Sequence, residues 1–474
     1  SGVIGTNFTD TSSTSQFTTG TKVLLSDGGE AMYVQASEAI STYGAVTITA
    51  SQTAALLTTT NSATSKRVGF AQVSIASGYY GWVQLSGVMQ VNLAANCDDN
   101  VPLYTTATGG VLDDAAVSGC LVIGCTSTRT ISNATAVTCI AAGIAVIGTG
   151  AMGSDHIVRI NTRMSGAIVT AIVEPDSARA AAALTHAPDA KKFANISDAI
   201  ASGLIDAALV ATPGAFHEEV LLPIIAAGLP VLCEKPMTPD VPSALRVIDA
   251  EVASGKKIIQ VGFMRRFDEG YIELQKQISS SALGELLALH CAHRNPSVPE
   301  WYGNEMLIAD SVSHEIDIVR FLTGSPILSA EVKQLKRNKL APERLNEPIL
   351  VLLETESGVI ATVEMNVSVQ FGYQVITEAV FQRGVSEIGR SNGMTTWEAG
   401  RSSTAEHVSY LTRFARAYDD EVQSWINAAK IGQIGGPNAW DGYMSVAVVE
   451  AGLKSLKSGE KVSATYVAKP AFYN

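Results

Sequence analysis

Three glycines at short, fixed spacing, Gly148, Gly150 and Gly153, are the first residues whose pattern predicts chemistry. An apolar run precedes them, a helix-forming run follows, and Glu174 comes about 20 residues later, at the end of a second apolar run. In this setting the first glycine permits a tight turn, the second lets a pyrophosphate approach the backbone, and the third lets helix and strand pack closely. The pattern predicts a dinucleotide-binding turn. A carboxylate at position 174 favours NAD over NADP, because it bonds the ribose hydroxyls and repels a 2′-phosphate.

A second group of reactive side chains lies further along the chain. Lys235 is in the run CEKP, at the end of a predicted strand where the ligands of open α/β sheets gather, although a surface ion pair with Glu234 explains it equally well in isolation. Asp310 and His314 are four residues apart, which places carboxylate and imidazole on one helix face. By itself such a pair is more often a surface ion pair than a catalytic one. A metal site is weaker still, because HEIDI lacks the second histidine of HExxH.

The elements that would position these groups alternate from residue 141 onward. Apolar-faced helices, two of them ending at Gly228 and Gly255, lie between short apolar runs. Those runs predict strands at Ile144–Ile147, Val169–Val173, Ala207–Ala211, Val231–Cys233 and Ile258–Val261. Residues 141-264 are therefore predicted to form an α/β Rossmann domain with a doubly wound parallel sheet.

Residues 265-474 change to long β-rich runs with helices beside them and a closing helix from Trp440 to Ser458. This pattern predicts an α+β domain with an open, mostly antiparallel sheet, which would bind substrate and support oligomerisation. The chain of 474 residues is too long for one hydrophobic core, and typical domain sizes suggest three domains, with two or four as alternatives.

Residues 1-138 have a different composition. They contain four basic residues and no histidine, and their Thr-, Ser-, Gly- and Val-rich runs alternate between turn signals. We expect a small all-β module without a general acid, base or metal ligand, and therefore a structural or adhesive role. Its flat aromatic patch would be Tyr79, Tyr80 and Trp82, unless these rings fill the core of the module.

Bulk properties exclude several classes of protein. A net charge of -12 and a pI near 5.1 argue against binding to nucleic acid. The uncharged stretch 131–154 is long enough to span a bilayer, but its Ser, Thr and Gly content predicts a loop leading into a buried strand, so no membrane partner is expected. The N-terminal residues lack the pattern of a secretory signal. Six cysteines without metal-binding spacing predict free thiols in a reducing compartment, with disulfides before residue 140 as an open alternative.

Six motifs in order carry a family resemblance: GTGAMG, ATPGAFHEEVLLPIIAAGLPVLCEKP, VGFMRRFD, HCAHRNP, DSVSHEID and AWDGY. From about residue 143 to 473 the chain resembles the Gfo/Idh/MocA oxidoreductases, and among them the bacterial inositol 2-dehydrogenases. The resemblance implies a cytoplasmic homo-oligomer, a tetramer in that family. It also implies NAD-dependent oxidation of a secondary alcohol of myo-inositol, or of a similar cyclic polyol or sugar, to the ketone.

The resemblance also implies a catalytic trio. His314 would take the hydroxyl proton, because an imidazole has a suitable pKa range, and Asp310 would orient that ring and stabilise it once protonated. Lys235 would stabilise the negative charge that develops on the reacting oxygen. No metal is required.

Further contacts follow from the same resemblance. Contacts with substrate hydroxyls, direct or through a neighbouring group, are expected from Arg265, His293, Asn295 and Tyr373. Contacts with the cofactor NAD are expected from Gly148, Gly150, Met152, Gly153, Glu174, Thr212, His217 and Glu234. The bond between residues 235 and 236 is expected to be cis. The pair Pro213-Gly214 departs from the family pattern close to the nicotinamide.

The runs GEAMYVQAS, RVGFAQVSIASGYYGWVQLSG and VPLYTTATGGVLDD in the first segment resemble small tailed-phage virion proteins of the head-decoration type. This similarity, over about residues 20 to 130, implies docking on a phage capsid protein, a trimeric assembly and a place on the virion surface. Two hypotheses follow. The chain is either an active dehydrogenase carried on a phage-like β module, or a virion structural protein whose C-terminal part serves for binding or display without catalysis.

Overall fold

The computed structural model describes residues 9–25, 30–49, 51–58, 60, 67–85, 89–94, 102–113, 121–127, 135–140, 143–164, 166–390, 395–430 and 432–474. The chain forms two compact units. The first comprises Ser1–Thr212, Ala227–Val231 and Ile426–Gly432, and the second comprises Pro213–Ala226, Leu232–Trp425 and Gln433–Asn474. The boundaries 1-138, 141-264 and 265-474 stay a prediction.

The first segment is built from β-strands, as its alternating runs predict. Eleven strands are described before residue 141: β1 Lys22–Leu24, β2 Glu30–Ala36, β3 Ala45–Ile48, β4 Thr53–Leu56, β5 Arg67–Ala71, β6 Tyr80–Gln84, β7 Met89–Leu93, β8 Pro102–Thr105, β9 Leu112–Asp113, β10 Leu121–Ser127 and β11 Thr135–Ile140. The first six form one sheet in the order β1-β2-β4-β3-β5-β6, and the others close a barrel in the order β10-β11-β7-β9-β8.

The aromatic residues of this segment divide between core and surface. Trp82 is 2% exposed, and its ring centroid lies 5.0 Å from that of Tyr33. Tyr80 stacks on Tyr33 at 6.1 Å, whereas Tyr79 is 40% exposed. The rings of Trp82 and Tyr80 therefore pack into the module, and only Tyr79 of the three is left for a surface patch.

From Gly143 onward strands and helices alternate as predicted. The elements are β12 Gly143–Ile147, α1 Ala151–Thr162, β13 Ile168–Val173, α2 Ser177–Leu184, β14 Lys191–Phe193, α3 Ile196–Ala201, β15 Ala207–Val210, α4 His217–Ala226, β16 Val231–Glu234, α5 Val241–Ser254 and β17 Ile259–Gly262. Their sheet has the order β14-β13-β12-β15-β16-β17, with β12 parallel to both of its neighbours. Gly255 ends α5 in the left-handed conformation, as predicted for a C-cap glycine.

The remaining residues form an α+β arrangement on a seven-stranded sheet. Its order is β23-β22-β18-β21-β20-β19-β26, and β18–β21 is its parallel pair, so the prediction of a mostly antiparallel sheet is confirmed. The elements are α6 Glu269–Ser280, β18 Leu286–Arg294, α7 Ser313–Thr323, β19 Ile327–Gln334, β20 Ile349–Thr355, β21 Ile360–Asn366, β22 Gln374–Phe381, β23 Gly384–Ile388, β24 Thr395–Glu398, β25 Arg401–Thr404, α8 Tyr410–Arg413, α9 Ala415–Ala429, α10 Ala439–Ser458 and β26 Val462–Ser463.

The structure bears in part on two expectations from composition, the absence of a membrane span and the state of the cysteines. Over the described ranges, no helix combines the length and apolar character needed to cross a bilayer. Cys233 and Cys291 are buried free thiols. The four cysteines before residue 140 lie outside the residues whose side chains are described, so the question of disulfides there stays open.

Candidate active site

The glycine turn has the steric properties that its sequence predicts. Gly148 follows β12 with φ +84°, and a Cβ there would lie 2.8 Å from the backbone N of Thr212. A Cβ on Gly153 would lie 1.9 Å from the carbonyl O of Gly148, whereas a Cβ on Gly150 would meet nothing within 4 Å. The first and third glycines are therefore required by packing, and the second leaves open space at the N-terminus of α1. Free N–H groups and open space at a helix N-terminus fit a pyrophosphate.

Glu174 is the carboxylate that follows β13. Its Oε2 accepts from the backbone N and from Oγ1 of Thr149, each at 3.0 Å, and its Oε1 accepts from the backbone N of Asp176 at 3.0 Å. Burial raises the pKa of Glu174, but these hydrogen bonds outweigh it and the pKa lies below the ordinary 4.5. The group is ionised beside the turn and also stabilises it, a role of Thr149 and Glu174 that sequence reasoning missed.

The other expected cofactor residues differ in their surroundings. Met152 is the second residue of α1 and is half-buried, and the backbone of Thr212 lies against Gly148. His217 begins α4 without exposed surface, and its Nδ1 lies 2.8 Å from the carbonyl O of Pro236. Glu234 ends β16 and is 8% exposed. The glycine turn and Glu174 carry the observations that fit NAD.

Lys235 is paired with Asp310 and not with its neighbour Glu234. Its Nζ donates to Oδ1 of Asp310 at 2.6 Å and to the carbonyl O of Asp310 at 3.1 Å. The peptide bond between Lys235 and Pro236 is cis, as the family resemblance implies. An ammonium has three donors, so two bonds to one residue leave a third for a ligand oxygen.

Asp310 lies in a π-helix, Leu307–Val312, a kind of helix that its spacing from His314 did not predict. The four-residue spacing to His314 therefore crosses a junction between this π-helix and α7, and the expectation that the two side chains share one helix face stays a prediction. The hydroxyl of Tyr302 contacts Ser311 Oγ at 2.7 Å and donates to the carbonyl O of Met306 at 2.8 Å, which secures this turn. Single π-helical turns often occur at functional sites, and this one presents both a carboxylate and a backbone carbonyl to one ammonium.

His314 lies in the first turn of α7 and is predominantly neutral. Burial, and then the charges of Lys235, Arg265 and His293, hold its pKa well below 6.5. The expected hydrogen bond between Asp310 and the imidazole is not among the contacts of the described residues, where Asp310 bonds Lys235 instead. The arrangement thus supplies a neutral base next to an ammonium that a carboxylate holds in place.

Arg265, His293 and Tyr373 come together around Glu315, a residue that sequence reasoning missed. Arg265 forms a buried ion pair with Glu315, and His293 Nδ1 lies 3.2 Å from Glu315 Oε1. The hydroxyl of Tyr373 lies 3.5 Å from His293 Nε2. Arg265 is 1% exposed, which places it behind the surface of the site. Glu315 stood in the sequence next to His314 but was weighed only as part of a zinc motif.

Asn295, the residue after β18, presents a polar atom that needs a partner. Its Oδ1 is buried and has no hydrogen-bond partner among the described residues. A buried acceptor without a donor costs about 1–3 kcal/mol, so a ligand hydroxyl that donates to it would remove this cost. The observation agrees with the expectation that Asn295 contacts a substrate hydroxyl.

We expect Glu315→Gln to lower the free energy of unfolding by about 3 kcal/mol near neutral pH, because it leaves the Arg265 guanidinium buried without a counter-charge. Burial opposes ionisation, but Arg265 and His293 hold the pKa of Glu315 at about 2. A pKa below the unfolded value gives stability that is present above about pH 4.5 and is lost as pH falls toward 2. Denaturant titrations should therefore show the gap between wild type and variant narrowing from pH 5 to pH 3.

Glu364→Gln is the matched control for this change. Glu364 pairs with Arg294 on the neighbouring strand, but its side chain is 36% exposed. Its loss should cost less than about 1 kcal/mol. A Glu315→Gln gap as small as the control's, or one that does not change with pH, would contradict the assigned charge state.

The open glycine turn, the ionised carboxylate behind it and the Lys235–Asp310–His314 arrangement define a class, the Rossmann-fold oxidoreductases. The comparisons with known proteins agree. Residues 142–263 match the family model described as "Oxidoreductase family, NAD-binding Rossmann fold", and residues 275–464 match its companion, "Oxidoreductase family, C-terminal alpha/beta domain". The chain belongs to the Gfo/Idh/MocA oxidoreductase family.

Individual relatives make the comparison more specific. The chain is 54% identical over 331 residues to an inositol 2-dehydrogenase of Leifsonia xyli and 53% identical to one of Corynebacterium glutamicum. These alignments cover 70% of this chain and 97% and 98% of the relatives. A solved structure of myo-inositol dehydrogenase from Lactobacillus casei, in complex with NAD(H) and myo-inositol, matches with TM-score 0.68 and 33% identity, over 70% of this chain and 99% of that one. The protein is an NAD-dependent dehydrogenase.

Proposed function

We propose that the protein oxidises a secondary hydroxyl of myo-inositol, or of a similar cyclic polyol, to the ketone. The observation that carries the proposal is the charge pattern around His314, a neutral imidazole close to an ammonium with a free donor. NAD, when bound, accepts the hydride from the carbinol carbon. The relatives named inositol 2-dehydrogenase support the choice of substrate class.

Residues of the chain accept the proton, stabilise the developing charge and recognise the substrate. His314 accepts the hydroxyl proton, because its lowered pKa keeps it neutral. Lys235 donates to the same oxygen and stabilises its developing negative charge, and Asp310 holds the ammonium in that position. Tyr373, His293 and the acceptor of Asn295 recognise other hydroxyls of the ring.

Glu174 supports the choice of NAD over NADP. Its carboxylate is ionised and buried at the end of β13, where a 2′-phosphate would meet a negative charge. Removing the charge would also remove the acceptor for Thr149, so the turn itself depends on this residue.

The test is the formation of NADH, followed by its absorbance, when the full chain is given NAD with myo-inositol. We expect turnover with myo-inositol and slower or no turnover with inositol isomers that invert the reacting carbon. A chain that binds NAD but turns over no cyclic polyol would overturn the proposal. It would favour the alternative, in which the second part binds or displays without catalysis and the first segment attaches to a capsid.

A further inference from the structure

Side chains, and not only backbone bonds, hold the turn that carries Lys235. The backbone N of Lys235 donates to Oε2 of Glu234 at 3.3 Å, and the carbonyl O of Pro236 accepts from the ring of His217 at 2.8 Å. A Cβ on Gly214 would lie 3.0 Å from Pro236 Cγ, so the backbone at Gly214 packs closely against the proline ring. The path of the chain at Lys235 therefore depends on what His217 and Glu234 contribute.

The protonation state of His217 follows from its partners. A carbonyl oxygen only accepts, so Nδ1 of His217 carries the proton in its bond to Pro236. Cys233 Sγ lies 3.4 Å from the same nitrogen and 3.3 Å from the carbonyl O of Glu234. Burial, and then the charge of Glu234, raise the pKa of Cys233, so the thiol stays protonated and donates to Glu234. The imidazole of His217 thus donates one hydrogen bond, from Nδ1, to the turn that carries Lys235.

The other end of this connection is fixed as well. His217 is the first residue of α4, and the next residue, Glu218, accepts two bonds from Arg246 of α5, from Nε at 2.5 Å and from Nη2 at 2.8 Å. The start of α4 is thereby tied to a neighbouring helix. The buried imidazole of His217 then links this anchored helix end to the carbonyl of Pro236, the residue that follows Lys235.

We infer that His217 is a positioning residue that acts on the reaction through Lys235. Its hydrogen bond fixes the Pro236 carbonyl, and the turn so fixed directs the Lys235 ammonium toward Asp310 and the substrate oxygen. The inference rests on the proposed function and assigns His217 to the turn instead of to the cofactor. Misplacing a reacting group by about 1 Å costs about 100-fold in rate. The effect should appear in kcat and not in the affinity for NAD.

Two substitutions separate the roles. His217→Asn keeps a donor close to the place of Nδ1 and should retain most of the wild-type kcat, whereas His217→Leu removes the donor and should lower kcat by about 10- to 100-fold. The dissociation constant for NAD, measured by quenching of protein fluorescence, should stay within about twofold in both. His186→Leu, an exposed histidine of the other unit, is the matched control and should change neither quantity. A raised NAD dissociation constant with kcat retained in His217→Leu would overturn the inference and make His217 a cofactor contact.

A crystal structure of His217→Leu gives a readout that needs no substrate. We expect a displaced Pro236 carbonyl and a Lys235 Nζ more than about 3.5 Å from Asp310 Oδ1, beyond hydrogen-bond reach. An unmoved turn with the 2.6 Å contact intact would refute the inference even if the wild type turned over myo-inositol. Conversely, a displaced turn in a chain whose wild type is inactive toward polyols would uphold the positioning role and reject the substrate.

Discussion

Lys235→Met is expected to lower kcat for the oxidation of myo-inositol by about 10²- to 10³-fold, the usual cost of losing one donor to a developing oxyanion. The methionine keeps the length of the side chain but offers no proton to the reacting oxygen. Asp310 loses its partner without becoming a buried unpaired charge, because its side chain is 41% exposed. The fold should therefore survive, and NAD should still bind. Turnover by NADH absorbance and NAD binding by fluorescence quenching measure the two effects separately.

Lys333→Met is the control for this variant. Lys333 lies on β19, half exposed, where it pairs with Glu331, so its loss removes a lysine of the same compact unit without touching the site. We expect wild-type turnover. A Lys235→Met enzyme as active as this control would remove the catalytic assignment of the ammonium, whatever the binding of NAD.

Much of the fold is readable from the sequence because local signals and packing agree there. The run at Ile144–Ile147 lies in β12, whose residues are all buried, and continuous burial is what a parallel central strand requires. The closing helix was expected from Trp440 and begins at Ala439, where Asn438 forms a capping box with Asp441. The second sheet needed more than local signals, since β18 pairs in parallel with β21, and that pairing is set by strands distant in sequence.

The site is less readable, because its geometry depends on tertiary contacts. The spacing of Asp310 and His314 predicts that they share one helix face, but it does not predict the π-helix at Asp310, which is secured by a contact between Tyr302 and Ser311. Glu315 escaped notice because nothing in its sequence neighbourhood names Arg265, 50 residues away, as its partner. The pairing of Lys235 with Asp310 could not be predicted for the same reason, because its acceptor is 75 residues away. The motifs predicted which residues belong to the candidate site, and the structure shows which of them form pairs.

In the first segment, too, the sequence predicts the strands but not the tertiary contacts of their side chains. Its strands were predictable from alternation, but whether an aromatic ring faces inward depends on which sheet covers it. Trp82 and Tyr33 fill one cluster with Phe17 and Tyr80 packed against it, so a surface role is left for Tyr79 alone. Docking of this segment on a capsid stays a prediction.

His314→Asn is expected to lower kcat by about 10²- to 10⁴-fold, because the amide cannot accept the hydroxyl proton. It should also remove a pH dependence. The lowered pKa of His314 means that the neutral, proton-accepting form predominates at pH 7 and persists below pH 6.5, so the acid limb of kcat/KM in the wild type should lie below pH 6.5. Profiles of kcat/KM that extend below pH 6.5 as far as the protein stays folded should show this limb in the wild type and lack it in the variant.

The same profile connects His314 to Lys235. Burial is the larger cause of the lowered pKa, but the charge of Lys235 comes second, so Lys235→Met should move the acid limb toward higher pH in addition to slowing turnover. His290→Asn, an exposed histidine on β18 that contacts Thr362, is the control and should leave rate and profile unchanged. An acid limb that is retained in His314→Asn would mean that another group takes the proton, while an unmoved limb in Lys235→Met would mean that the ammonium does not act on the imidazole. Together the three profiles test whether base and ammonium work as one electrostatic unit.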